Sequence, residues 1–376
     1  MRRYPTATAA PAASVAAARP GRTRPARPAH PARPARPARP ALRGVAGAAV
    51  GLAATLALTA CSGASTAARV GEVPEGLAVQ AYAVPSPATT TAFEASADAI
   101  DVVGVSGVGV LADGASVGTA SDDALALLDA VHDAGARAEL LVLNADQQTG
   151  DFDGDLAVSM LGDEANRAAV VAALADQVDT GGWDGLQLDF EELPGDAAPL
   201  YSQFAAELRT ALPDDATLSV ALQPAEDPDG YADLGYDLVG LADVVDRVVL
   251  MAYDEHGTGF SEAGAVGGLP WTGRVLDALL EQVPAEQVDL GVAQYGYQWI
   301  GSTSGSSLTV AQARRSAAST GEWDDEQGEY TARPADGSTL WWSDSRSLTV
   351  RAELAADRGL HGVAIWQLST ADPFER

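Results

Sequence analysis

Eight stretches of the chain alternate apolar and polar positions or run almost wholly apolar, and apolar positions at a 3.6-residue period fill most of the intervals. The strand-like stretches are 77–84, 99–110, 137–144, 185–191, 217–224, 247–254, 288–299 and 361–369. Helical periodicity covers 121–135, 163–182, 201–213, 271–284 and 347–359, with a Ser/Asp start and a glycine stop around the first of these. Strands alternating with helices over about 300 residues predict the α/β class and a (β/α)8 TIM barrel. A doubly wound open sheet would give nearly the same periodicity. No GxGxxG follows the first strand and no GxxxxGK[ST] occurs, so nucleotide binding has no support. Residues 300–345 break the rhythm and read as a small β-rich insertion before the last helix. No internal repeat is evident.

Charge narrows the partners. All 23 basic residues are arginine, and ten of them precede Cys61, where no acid occurs. The rest of the chain sets 13 arginines against 52 acidic residues, which would repel nucleic acid and anionic membrane surfaces. The apolar run 45–59 is too short to span a bilayer comfortably and follows an arginine-rich segment, as in a secretory signal peptide. Its end, "LTACSG", resembles the lipobox of bacterial lipoproteins, which implies a lipid-bearing Cys61 as the membrane anchor. A plain signal peptide is the alternative. Residues 1–61 are then an Arg/Pro-rich leader, 62–76 a tether, and 77–376 the barrel. Cys61 is the only cysteine, which excludes disulfides and thiolate metal sites from the folded part.

The chemistry gathers in "DGLQLDFEE", 184–192. Strand alternation puts Leu186, Leu188 and Phe190 on one face and Gln187, Asp189 and Glu191 on the other. Inside a barrel the second face points to the axis, where neighbouring carboxylates cannot all ionise and one is held protonated. A protonated carboxylic acid at the C-terminal mouth of a barrel strand suits a general acid for glycosidic cleavage. A water-filled barrel end with structural carboxylates is the competing reading. Asp184 is expected to open the strand as a turn residue, and Glu192 to face away from Glu191.

"DGLQLDFE" resembles the active-site strand of glycoside hydrolase family 18, Asp-Gly-x-x-x-Asp-x-Glu. "VVLMAYDEHG" (248–257), "LGVAQYGYQW" (290–299) and "GVAIWQL" (362–368) resemble the family's later strands in order, and the set is most similar to the branch acting on spore-cortex peptidoglycan. The resemblance implies a retaining, substrate-assisted hydrolase of β-1,4-linked N-acetylglucosamine glycans, either peptidoglycan or chitin oligosaccharides. By it, Glu191 is the general acid and base, Asp189 orients the 2-acetamido N–H, and Tyr253 bonds the acetamide oxygen. Asp254 helps position that group, Met251 lies in the same motif, and Trp366 forms the floor under the sugar. Gln187 departs from the family, which carries Asp or Asn there; its amide is expected to hold Asp189 by a donated hydrogen bond.

Tyr82, Asn144, Tyr295 and Trp299 are further cleft candidates. Trp323, Trp341 and Trp342 read equally as sugar subsites or as the insertion's own core. "DFDGD" (151–155) mimics a calcium loop, but Gly162 stands where its last ligand would be. The four histidines lack zinc spacing; His256 alone follows a motif residue. No metal or organic cofactor is implied, and a monomer is expected on the extracellular side of a bacterial membrane. A non-catalytic sugar-binding lipoprotein and a hydrolase of N-linked glycans are the alternatives.

Overall fold

The computed structural model describes residues 71–146 and 149–376. Cys61 and the leader lie outside the described residues. Strands β1 (Ala78–Ala83), β2 (Val102–Gly109), β3 (Arg137–Leu143), β4 (Gly185–Asp189), β5 (Thr217–Leu222), β6 (Arg247–Leu250) and β7 (Val288–Ala293) stand side by side in parallel. Strands β8 (Tyr295–Trp299), β9 (Gly305–Thr309), β10 (Gly321–Asp324), β11 (Glu329–Ala332) and β12 (Thr339–Trp342) form a separate antiparallel sheet. Strand β13 (Gly362–Trp366) then pairs with both β1 and β7 and closes an eight-stranded barrel.

The helices are α1 (Pro87–Glu94), α2 (Asp122–Ala134), α3 (Gly154–Gly162), α4 (Glu164–Gly181), α5 (Ala198–Ala211), the short α6 (Gly230–Asp233) and α7 (Leu238–Ala242), α8 (Leu269–Leu280), α9 (Val310–Ala317) and α10 (Ser345–Asp357). Local chemistry sets their ends. Ser121 caps α2 through Ala124 N–H, Asp163 caps α4, and left-handed Gly135 and Gly182 stop the two helices. The Asp-Gly that opens β4 has a packing reason. A Cβ on Gly185 would lie 2.3 Å from the Thr217 carbonyl oxygen of the neighbouring strand.

Leu186, Leu188 and Phe190 are fully buried among the outer helices, while Gln187 and Asp189 point into the barrel. The lower barrel is filled by polar groups that satisfy one another. Arg247 donates to Asp289 and Gln80 at 3.0 Å each and also to Glu139. Ser219 and Thr217 donate to Glu139 at 2.9 and 2.7 Å. Buried charges persist only when paired in this way.

Two expectations are corrected. The stretch 288–299 is two strands, because at Gln294 the chain leaves the barrel and β8 pairs with β9 and β12 instead. Period-two alternation runs unbroken through that point, so the pattern could not locate the change of sheet. The insertion therefore begins at Tyr295. Residues 71–76 pack on the barrel: Val73 is buried, and its N–H donates to Glu375 O at 3.1 Å.

A buried ion pair fixes the insertion to the barrel. Glu329 on β11 accepts from the N–H groups of Val266 and Gly267 at 2.8 and 2.9 Å, and Arg351 on α10 lies 3.0 Å from it. The segment so held leads from β6 into α8 and carries Tyr253 and Asp254.

Candidate active site

Asp189 ends β4 at the upper, C-terminal mouth of the barrel. It is nearly fully buried, its Oδ1 has no hydrogen-bond partner, and burial pushes its pKa up to about 7. The Tyr82 hydroxyl, also inside the barrel, is likewise without a partner. Gln187 does not hold Asp189. Its amide accepts from Gln80 at 3.2 Å and donates to Ser219 at 2.9 Å, which commits it to the polar layer below.

Glu191 lies two residues beyond the end of β4 rather than on it. The backbone leaves the strand there, and Glu192 adopts a left-handed φ of 57° with its side chain exposed. Asn144, at the end of β3 and fully buried, clamps this bend. Its Oδ1 accepts from Glu191 N–H at 3.0 Å, and its Nδ2 donates to Glu191 O at 2.9 Å and to Asp153 O at 3.0 Å. The next turn is packed so closely that a Cβ on Gly154 would stand 2.1 Å from Glu192 O. Gln223, just past β5, donates to Glu191 Oε2 at 2.8 Å. Burial, followed by the charges of Asp189, Asp254 and Glu192, raises the Glu191 pKa well above the usual carboxylate range, and the Gln223 bond opposes the rise. The surroundings of the bend therefore favour the protonated form of Glu191.

Asp254 closes the site from the other side. It too is left-handed, with φ 61°, and its Oδ1 accepts from the Tyr295 and Tyr297 hydroxyls at 2.5 and 2.8 Å. Burial raises its pKa, while the two tyrosines favour the ionised form. Both tyrosines belong to β8, so the antiparallel sheet sets the orientation of a barrel-loop carboxylate. Tyr253 meets Tyr295 edge to face at 6.4 Å. Trp366 ends β13 beside Tyr82, with ring centroids 5.3 Å apart, and the peptide linking it to Gln367 is cis. Met251 packs with Tyr82, Leu141 and Ala364 beneath Tyr253 and Trp366. These rings and aliphatic groups make an apolar wall facing the carboxylates.

Comparison with known proteins decides the family. The sequence profile of Glycosyl hydrolases family 18 matches residues 150–371. The chain belongs to this family. It is 27% identical over 233 residues to the putative sporulation-specific glycosylase YdhD of Bacillus subtilis, covering 59% of this chain and 55% of that one. The chain thus spans about half the length of that curated relative. The spore cortex-lytic enzyme SleL of Bacillus cereus superposes with a TM-score of 0.72 at 19% identity, covering 82% of this chain and 73% of that chain. A chitinase from Chromobacterium violaceum gives 0.69 at 26% identity, covering 79% and 95%.

Within this family-18 barrel, β4, β6 and β13 place Asp189, Glu191, Tyr253, Asp254 and Trp366 around one mouth. The polar positions that support them were less legible. Asn144 is a buried clamp on the Glu191 backbone and does not line the cleft. Trp299 is 2% exposed, donates its indole N–H to Ser261 O at 3.1 Å and packs behind Tyr297. Trp341 shares the Asp254 side of the sheet with Tyr295 and Tyr297. Sequence reasoning missed Gln223 and Tyr297. A polar residue closing the apolar run "LSVAL" and the alternation Tyr295–Tyr297–Trp299 were the available signals.

Asp184 marks the opposite end of β4. It lies 2.8 Å from His132 Nε2 and accepts from Ala138 N–H, joining α2, β3 and β4 far from the mouth. His256 is held by Ala265 O at 3.0 Å.

Proposed function

We propose that this chain is a retaining glycoside hydrolase that cleaves β-1,4-linked N-acetylglucosamine glycans, peptidoglycan or chitin oligosaccharides, by substrate-assisted catalysis. The observation that carries the reading is the pair at the mouth: Glu191, fixed at backbone and side chain where burial favours its protonated form, beside a buried Asp189 with an unpartnered oxygen. Glu191 delivers its proton to the glycosidic oxygen as the bond from that oxygen to C1 breaks. The acetamido carbonyl oxygen of the same sugar forms the new bond to C1, giving an oxazolinium ion. Asp189 Oδ1 accepts the acetamide N–H and offsets the positive charge that develops there. Tyr253 and Asp254 hold the acetamide from the opposite side, and Trp366 supports the apolar face of the ring. Water then attacks C1 as its bond to the acetamide oxygen breaks and the acetamide is regenerated, Glu191 takes the water's proton, and the anomeric configuration is retained.

An acidic chain without lysine favours a neutral glycan over a polyanion. The lipobox-like "LTACSG" supports lipidation at Cys61 and residence on the outer side of a bacterial membrane. The test is Glu191→Gln, assayed on chitin oligosaccharides and on purified peptidoglycan with mass spectrometry of the products. Hydrolysis should vanish while oligosaccharide binding and thermal unfolding stay at parental values. Surviving hydrolysis would overturn the mechanism.

A further inference from the structure

Residues 266–268 belong to no helix or strand, yet all are buried, and they back the segment that carries Tyr253 and Asp254. Glu255 follows Asp254 directly. Its N–H donates to Val266 O at 2.8 Å, and its carboxylate accepts from Gly268 N–H at 2.9 Å. Between these bonds Gly267 lies against the active-site backbone: a Cβ there would stand 2.5 Å from Ala252 O and 3.2 Å from Tyr253 Cα. The Tyr253 ring is also close to the backbone of β7, where a Cβ on Gly291 would come within 3.1 Å of its Cε1. Any shift of residues 266–268 is therefore passed directly to Tyr253.

What holds residues 266–268 comes from two other elements. Glu329 of β11 accepts from the N–H groups of Val266 and Gly267 at 2.8 and 2.9 Å. Arg351 of α10 lies 3.0 Å from Glu329 and donates to the Gly267 carbonyl oxygen. It also donates to Gly328 O at 2.8 Å and Ser347 O at 3.2 Å. Glu329 and Arg351 are 0% and 1% exposed. A buried ion pair often stabilises a fold no more than apolar residues of the same volume, so stability by itself is a weak reason for one. Here the pair supplies directional bonds to backbone groups that no helix or sheet ladder satisfies.

Asp254 is held from the same sheet. Its carboxylate accepts from Tyr295 and Tyr297 of β8, and β8 and β11 are both strands of the insertion. We propose that Glu329 is a positioning residue for catalysis, fixing the backbone of Tyr253 and Asp254 through residues 266–268. The insertion sheet then holds this pair twice, at the main chain by Glu329 and at the Asp254 carboxylate by Tyr295 and Tyr297. This role rests on the reading of Tyr253 and Asp254 as the groups that hold the substrate's acetamide. Ring closure needs the acetamide oxygen aligned with C1, and a misplacement on the order of 1 Å costs about 100-fold in rate. Glu329 is fully buried and does not reach the substrate, so its effect should fall on the cyclisation step and not on substrate capture.

The experiment compares variants of the full chain on a chromogenic chitobioside, well below their melting temperatures. Glu329→Gln keeps the shape of the side chain and weakens both backbone bonds and the ion pair. Gly267→Ala leaves the pair intact and pushes the same segment against Ala252 and Tyr253. Both should lower kcat by roughly 10- to 100-fold with KM nearly parental. Both should lose affinity for the thiazoline analogue of chitobiose, a stable mimic of the cyclised intermediate, by a similar factor. Arg167→Met breaks the ion pair with Glu207 between α4 and α5 and should lower the melting temperature alone.

Parental kcat and thiazoline affinity in Gly267→Ala, or in a folded Glu329→Gln, would overturn the proposal. A loss confined to KM, or the same losses in Arg167→Met, would overturn it too. Each of these outcomes leaves the active-site reading intact. That reading fails, and this proposal with it, if the parental protein neither hydrolyses the chitobioside nor binds the thiazoline.

Discussion

Asn144→Ala tests how the acid is held. Asn144 makes three hydrogen bonds of 2.9–3.0 Å, two to the peptide groups of Glu191 and one to Asp153 O, with its side chain fully buried. At about 0.5–1.5 kcal/mol net for each, and with buried backbone groups left unsatisfied, the loss is about 2–4 kcal/mol. The unfolding midpoint should fall by roughly 3–6 °C. The effect on catalysis should be separable from this. Releasing the backbone at Glu191 lets the carboxyl drift, and a displacement on the order of 1 Å lowers turnover about 100-fold. Asn144 does not touch the carboxyl, so the alkaline limb of the pH–rate profile should stay where it is. The assay is kcat on a chromogenic chitobioside across pH, measured well below the variant's melting temperature. Parental kcat in a variant that has lost the expected stability would refute the clamp as a catalytic requirement.

Gln223→Leu should do the reverse: its bond favours ionised Glu191, so removing it raises the pKa further and moves the alkaline limb of kcat/KM to higher pH. Arg247→Met leaves Glu139 and Asp289 buried without their cation, and urea unfolding should show a loss of about 3–5 kcal/mol. Asp189 contributes to the dependence of stability on pH. Its folded pKa of about 7 lies above its ordinary 3.8, so between these values the native state keeps a proton that the unfolded chain releases. Stability should therefore fall as pH rises from about 4 to about 7, and because the raised pKa values of Glu191 and Asp254 act in the same direction, thermal melts of Asp189→Asn should show a shallower slope.

The barrel was legible because period-two strands and 3.6-period helices are local patterns repeated many times. The same pattern failed at Gln294. Barrel strand and insertion strand alternate alike, and only the hydrogen-bond partners separate β7 from β8. The reading of Gln187 failed for a related reason. Sequence placed it on the inner face beside Asp189, but which neighbour takes its amide depends on the register of β1 and β5. Trp323 and Trp342 were indistinguishable from Trp341 until the pairing of β11 with β10 and β12 assigned each to a face of the sheet.

The sequence by itself determined which face of β4 turns inward, and so which carboxylates can meet. Side-chain alternation along a strand is a property of the backbone alone. Only the tertiary structure decided what holds them. Asn144 reaches Glu191 across 47 residues and Gln223 across 32, while Tyr295 and Tyr297 reach Asp254 from another sheet altogether. Such bonds are set by register and loop path, which no local pattern encodes. They fix the position of the Glu191 carboxyl and the orientation of Asp254, while burial and the neighbouring carboxylates favour the proton of Glu191.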